Sequence, residues 1–181
     1  MISDWHAIGY EDGARGAAAD VIGKHRKACA KHGVAPDLQA YRAGRLEGLA
    51  QYCQASTGFN LGARGGRYGG VCPSEYEYEF VDAYNQGRRL YELQASVNNA
   101  DRQIHTKERQ LESLRKDLSS KEAALVSDNT TSEERVQLLS ETRDLSKKQG
   151  ELETEITELE RSKAVHLDRL AQYKATLTYN Y

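Results

Sequence analysis

The stretch LYELQASVNNADRQIHTKERQLESLRKDLSSKEAAL (Leu90–Leu125) decides the architecture. From Leu90, the residues Leu93, Val97, Ala100, Ile104, Leu111, Leu114, Leu118 and Leu125 recur in alternating steps of three and four. Only Lys107 and Lys121 interrupt them. Such steps put every member on one stripe of an α-helix and repeat every seven residues, the pattern of a coiled-coil seam. SDNTTSEE (Ser127–Glu134) breaks the pattern, with Thr131 or Ser132 as an N-cap ahead of Glu134. A second seam follows. Leu138, Leu145, Leu152 and Leu159 hold one heptad position, Ile156, Leu170 and Leu177 the other, and His166 and Tyr173 extend the first set. Two such segments around a short polar turn predict an antiparallel coiled-coil hairpin over 88–181, turning at about 127–133. A parallel dimer is the rival topology, because heptads do not state direction. The polar seam members Lys107, Lys121, Thr142, Gln149 and Lys163 weaken the seam and set its register.

Composition changes sharply near Gly87. Every glycine but Gly150, both prolines and all three cysteines occur by that point. The chain of 181 residues is 39% hydrophobic and 29% charged, too little apolar material for one compact globule of this length. A net charge of −2 with both signs mixed argues against a dedicated nucleic-acid binder. No apolar run reaches the ~20 residues of a membrane span. MISDWHAIG lacks a charged-then-apolar leader, so either the protein is cytosolic or Met1 replaces a removed one.

Residues 1–87 read as a small, glycine-rich head of three helices, making the whole chain all-α. The first helix runs from about Asp4 to about Lys31. Gly33 and Pro36 mark a stop and restart, and the second helix ends near Tyr52–Cys53. The third starts after Pro73–Ser74 and flows into the coiled coil. Three echoes stand out: Tyr10-x2-Gly13, Tyr41-x2-Gly44 and Tyr84-x2-Gly87, each followed by an arginine. On a helix each sets a ring beside a notch that admits another helix or a ring, which makes Tyr10, Tyr41 and Tyr84 contact candidates. The hairpin brings YKATLTYNY back toward the head, where Tyr173, Tyr179 and Tyr181 are either docking contacts or a frayed tail.

The apolar inventory of the head is thin, and a small core needs a staple. Cys53 ends a helix and Cys72 ends the loop LGARGGRYGGVCP (Leu61–Pro73), so a bond between them pins that loop. Cys29 to Cys72 is the other pairing, and three reduced thiols the third possibility. A disulfide requires an oxidising compartment. The loop displays Arg64, Arg67 and Tyr68, an anion or glycan-carboxylate contact at most, since it lacks the endings of known phosphate loops. His25, Cys29 and His32 share one helix face with metal-ligand spacing, but Lys24, Arg26, Lys27 and Lys31 crowd them with positive charge. No nucleophile sits in a recognisable elbow. Neither a cofactor nor an enzymatic activity is expected.

The string Trp5-x3-Gly9-x3-Gly13-x2-Gly16 is followed by Cys29, by Gly33-Val34-x-Pro36-Asp37 and by Tyr41-x2-Gly44-Arg45-x2-Gly48-Leu49. Tyr52-Cys53, the glycine loop, Val71-Cys72-Pro73 and Phe80-x2-Ala83-Tyr84-x2-Gly87 complete it. The ordered combination resembles a domain-of-unknown-function family of small proteobacterial envelope lipoproteins. The resemblance implies an exported protein, lipidated on an N-terminal cysteine and anchored in the outer membrane facing the periplasm. Met1 stands where that cysteine belongs, a departure that a trimmed leader would explain. The expected role is that of a non-enzymatic envelope protein whose arm or head contacts another envelope protein, with self-association as an option. The alternative is a periplasmic module that binds cell-wall fragments or anions through the loop.

Overall fold

A computed structural model describes residues 4–177, which are all-α, with no strand among the described residues. The chain divides into two compact units. One runs to Glu92 and takes in the chain from Tyr173 on; the other is Leu93–Gln172.

The glycine-rich unit holds more helices than the three expected. The single helix expected from Asp4 to about Lys31 is α1 (Trp5–Ala14) and α2 (Ile22–Ala30), separated by a 3-10 turn at Ala19–Val21. Asp4 caps α1 by accepting from the Ala7 amide at 3.0 Å. Gly16 ends it. Its φ of +67° turns the Gly16 and Ala17 amides back to the carbonyls of Gly13 and Asp12, each at 2.9 Å. That closure stops a helix, and glycine takes the left-handed conformation at no steric cost. α3 (Leu38–Tyr52) starts under an Asp37 cap. α4 (Ala55–Ala63) has no counterpart in the sequence reading, which takes Leu61–Pro73 wholly as loop; Leu61–Ala63 are its last residues. The helix is only nine residues long, with glycines at Gly58 and Gly62, and its end reads in the sequence as part of a glycine-rich loop. α5 (Ser74–Leu125) begins after Pro73, as expected.

The helices of this unit interlock through bare backbone. A Cβ built on Gly9 would land on the carbonyl oxygen of Tyr41, and one on Gly44 would land on that of His6. One turn on, a Cβ at Gly13 would sit 2.8 Å from the Leu49 amide and one at Gly48 would strike the Tyr10 carbonyl. α4 and α5 repeat the arrangement, with Gly58 against the Phe80 carbonyl, Gly62 against that of Tyr84, and Gly87 against that of Phe59. The notches therefore admit helices of the same chain. Between the two pairs lies the core of Leu49, Cys53, Cys72 and Phe80, with Tyr52 stacked on Phe80 at 5.4 Å between ring centres. Cys53 and Cys72 form a disulfide with their Cα atoms 5.7 Å apart, and Cys29 is free.

In the second unit the rest of α5 pairs with α6 (Ser132–Thr176). Ion pairs link Asp101 to Lys163, Lys107 to Glu155, Arg115 to Glu153 and Lys121 to Glu141. As the first partner advances along α5 the second retreats along α6, which makes the pair an antiparallel hairpin within one chain. Each seam lysine thus meets an acid of the opposite helix, while Leu93, Val97, Ala100, Ile104, Leu111, Ile156 and Leu170 are buried. Thr142, buried in the seam, bonds the carbonyls of its own helix at Leu138 and Leu139. The turn carries the expected capping box: Glu134 accepts from the Thr131 amide at 2.8 Å, and Thr131 Oγ1 accepts from the Glu134 amide at 3.3 Å. None of the described helices is long and apolar enough to cross a membrane.

Two stability outcomes follow from this packing. Gly13→Ala and Gly62→Ala are expected to force the paired helices apart and cost about 1–3 kcal/mol. Gly150→Ala, which meets nothing within 4 Å on an exposed helix face, is expected to stabilise the hairpin by about 1 kcal/mol. Urea unfolding read by Trp5 fluorescence for the first pair, and by helical ellipticity for the third, checks both signs. Replacing Cys53 and Cys72 by serine is expected to lower the stability of the glycine-rich unit by about 3 kcal/mol. A reductant should move the wild-type midpoint, and should leave that of the double variant where it is.

Candidate functional site

The glycine pairs place one carboxylate where no water reaches it. Asp12 lies on α1 between Gly9 and Gly13, on the face pressed against α3, and is 1% exposed. A buried carboxylate needs its lone pairs filled. Tyr41 donates its hydroxyl hydrogen to Oδ2 at 2.8 Å, His25 Nε2 donates to the same oxygen at 2.8 Å, and Arg15 Nη2 reaches Oδ1 at 3.1 Å. Because an ionised carboxylate only accepts, the His25 proton facing it must sit on Nε2. This bond ties α2 to α1. Burial pushes the Asp12 carboxyl up, but the bonds from Tyr41 and His25, the charge of His25 and the Arg15 contact leave it below its ordinary value of 3.8. For Tyr41, burial first and then the Asp12 bond and charge push the hydroxyl up to about 12.

A duplication explains where this centre sits. Gly9-Tyr-Glu-Asp-Gly-Ala-Arg-Gly16 and Gly58-Phe-Asn-Leu-Gly-Ala-Arg-Gly65 share G-x3-G-A-R-G. Their helix partners, Tyr41–Tyr52 and Phe80–Tyr91, align without a gap. The geometry matches closely. Gly16 and Gly65 both have positive φ and both face a tyrosine ring, Tyr52 and Tyr91 respectively. Arg15 Nε donates to the Glu11 carbonyl at 3.2 Å, and Arg64 Nε to the Asn60 carbonyl at 3.1 Å. Sequence reading notes the Tyr-x2-Gly echoes and misses this repeat, although the repeated string is its signal. In the second copy Asp12 becomes Leu61 and Tyr41 becomes Phe80. The packing motif therefore does not require the polar pair.

The other candidate residues fall as follows. Tyr41 is buried, Tyr84 is half-buried and donates to the Gly66 carbonyl at 3.1 Å, and Tyr10 is exposed. Tyr68 faces inward: its ring lies 4.8 Å from that of Phe80, and its hydroxyl accepts from the Cys72 amide at 3.0 Å while donating to Glu77 at 3.2 Å. Arg64 and Arg67 are exposed, and among the described residues neither forms an ion pair with Glu75 or Glu79. His25 is drawn to Asp12, His32 is exposed at the end of α2, and Cys29 is half-buried. Among the described residues no three His, Cys, Asp or Glu side chains gather to hold a metal. Tyr173 donates to the Gln86 carbonyl at 2.9 Å, which docks α6's last turn; Tyr179 and Tyr181 lie outside the described residues.

A match to a family model falls within the glycine-rich unit. Residues 4–89 match DUF2799, a family described as protein of unknown function. That segment takes in both copies of the duplication almost to their ends. No curated protein and no solved structure matches the chain.

The depressed Asp12 value means that its bonds stabilise the fold fully above 3.8 and are lost as pH falls through the lower folded value. The raised Tyr41 value acts oppositely, with stability lost as pH rises from 10.0 toward about 12. Asp12→Leu alone is expected to cost about 1–3 kcal/mol by orphaning the Tyr41 hydroxyl. Asp12→Leu with Tyr41→Phe, which installs the second copy's residues, is expected to recover most of that loss and to flatten the acid dependence. Trp5 fluorescence in urea at several pH values measures both.

Proposed function

We propose that the protein is a non-enzymatic component of the bacterial cell envelope, acting as a structural and protein-interaction module. The observation that carries this reading is at the turn end of the hairpin. Val126, Val136 and Leu139 are 81%, 70% and 58% exposed there, whereas the seam leucines and isoleucines are buried or half-buried. Val136, Leu139 and Arg143 follow one face of α6, and Leu139 and Arg143 border a shallow cleft with Leu125. The backbone beneath is held in place. Arg135 donates to the carbonyls of Leu125 and Ser127, and Thr130 Oγ1 to that of Ala124 at 2.6 Å. An apolar patch on a preformed surface binds a partner with little ordering cost.

The Cys53–Cys72 disulfide supports an oxidising compartment, and with it a periplasmic location; lipid attachment to the outer membrane rests on the family resemblance alone. The enclosure of Asp12 by its own partners supports a structural rather than catalytic use. The partner is another envelope protein, and a second copy of this chain is the alternative occupant of the patch. Capture from a periplasmic extract by the wild-type chain and by Val136→Asp/Leu139→Asp tests the reading. The double variant is expected to lose the partner while keeping its helical content. Equal capture by the variant, or by a chain lacking Ser96–Ala171, would refute the hairpin's role.

A further inference from the structure

The duplication points to a second site, in the first copy only. We propose that the cleft between α2 and α3 binds a small anionic amphiphile, its carboxylate or phosphate head on Arg45 and Arg42 and its apolar body against Ile22, Leu38 and Leu46. The cleft has a volume of about 360 Å³ and is bordered by these residues together with Ala19 and Tyr41. Small-molecule pockets run from about 300 to 1,000 Å³, which fits a single short chain.

The second copy shows what fills this space when no cleft is kept. Ala19 corresponds to Tyr68, whose ring packs on Phe80, the counterpart of Tyr41. Arg45 corresponds to Tyr84. Tyr84 donates to the Gly66 carbonyl at 3.1 Å, and Arg45 Nη2 donates to the matching carbonyl of Ala17 at 2.8 Å. The two copies thus share a backbone contact but differ in what surrounds it: two tyrosines in one, an alanine and a guanidinium in the other. The first copy is hollowed and given a positive charge.

The lining selects the ligand. Leu38, Arg42 and Leu46 follow one stripe of α3, and the two leucines are 48% and 57% exposed. Arg45 Nε is buried and has no hydrogen-bond partner, an expensive state for a charged donor. Arg42 is exposed and forms no ion pair with any described carboxylate. Guanidinium groups take carboxylate or phosphate oxygens through paired N–H donors, while the leucines and Ile22 favour hydrocarbon. The Tyr41 ring is a fixed wall, because its hydroxyl is tied to Asp12.

Calorimetric titration of the full chain with octanoate, octyl phosphate, acetate and 1-octanol tests the proposal. Octanoate or octyl phosphate is expected to bind at least about tenfold tighter than acetate or 1-octanol, and the tighter of the two identifies the head group. Ala19→Tyr is expected to fill the cleft and abolish binding. Arg45→Tyr, which retains a donor to the Ala17 carbonyl as Tyr84 does for Gly66, is expected to weaken it at least about tenfold. Arg42→Gln, on the surface, gives a third variant that leaves the fold untouched and is also expected to weaken binding. Binding no tighter than that of acetate, or insensitive to all three substitutions, overturns the proposal. So does self-association that Ala19→Tyr abolishes, since that would make the cleft a contact between copies.

Discussion

Close approach of helix backbones at paired glycines is the constraint on which the glycine-rich unit depends. At Gly9, Gly13, Gly44 and Gly48, and again at Gly58, Gly62 and Gly87, a single methyl group would occupy a neighbour's backbone. A unit with few large apolar residues cannot rely on side-chain bulk alone. Instead it gains dispersion contact and Cα–H···O contacts over the helix surfaces themselves. The disulfide and the stacked Tyr52–Phe80 pair then lock the two glycine-paired modules to one small core.

Once two copies of one packing module exist, their differences become informative. Packing is satisfied by Leu61 and Phe80 in the second copy, so Asp12 and Tyr41 in the first answer another need. Their immediate effect is to hold His25, and hence α2, against α1, and to fix the Tyr41 ring. The same copy has exchanged Tyr68 for Ala19 and Tyr84 for Arg45. Polar centre, tethered α2 and open cleft form a connected set around Tyr41, whereas the second copy spends the equivalent space on hydrophobic core.

The hairpin solves a different problem. A seam of leucines alone would tolerate sliding by a heptad and would not choose between intrachain and interchain pairing. Lys107, Lys121 and Lys163 restrict that freedom, because each finds an acid on the opposite helix in the antiparallel, in-chain register. Exposed pairs of this kind add little stability apiece. Their effect is on specificity, since a slipped register would leave the charges in the seam unmatched.

Periodicity and local chemistry by themselves determined the all-α class, the two long helices, the Thr131–Glu134 turn and the start of α5 after Pro73. Those features depend on neighbours three or four residues apart, which any reader of the chain can see. The Cys53–Cys72 pairing was among the alternatives that the sequence left open, and proximity in space selected it. The break at Gly16 and the helix α4 are not legible in the sequence, because a glycine inside a helix and a glycine ending one look alike until φ is known. In the sequence nothing sets Asp12 apart from the other acids of the chain. Only tertiary structure buried it, by bringing α3 within backbone contact of α1 and laying His25 and Tyr41 over the carboxylate. The cleft beside Arg45 was likewise invisible, because it arises from residues on separate segments and from a small side chain where the matching module has a large one.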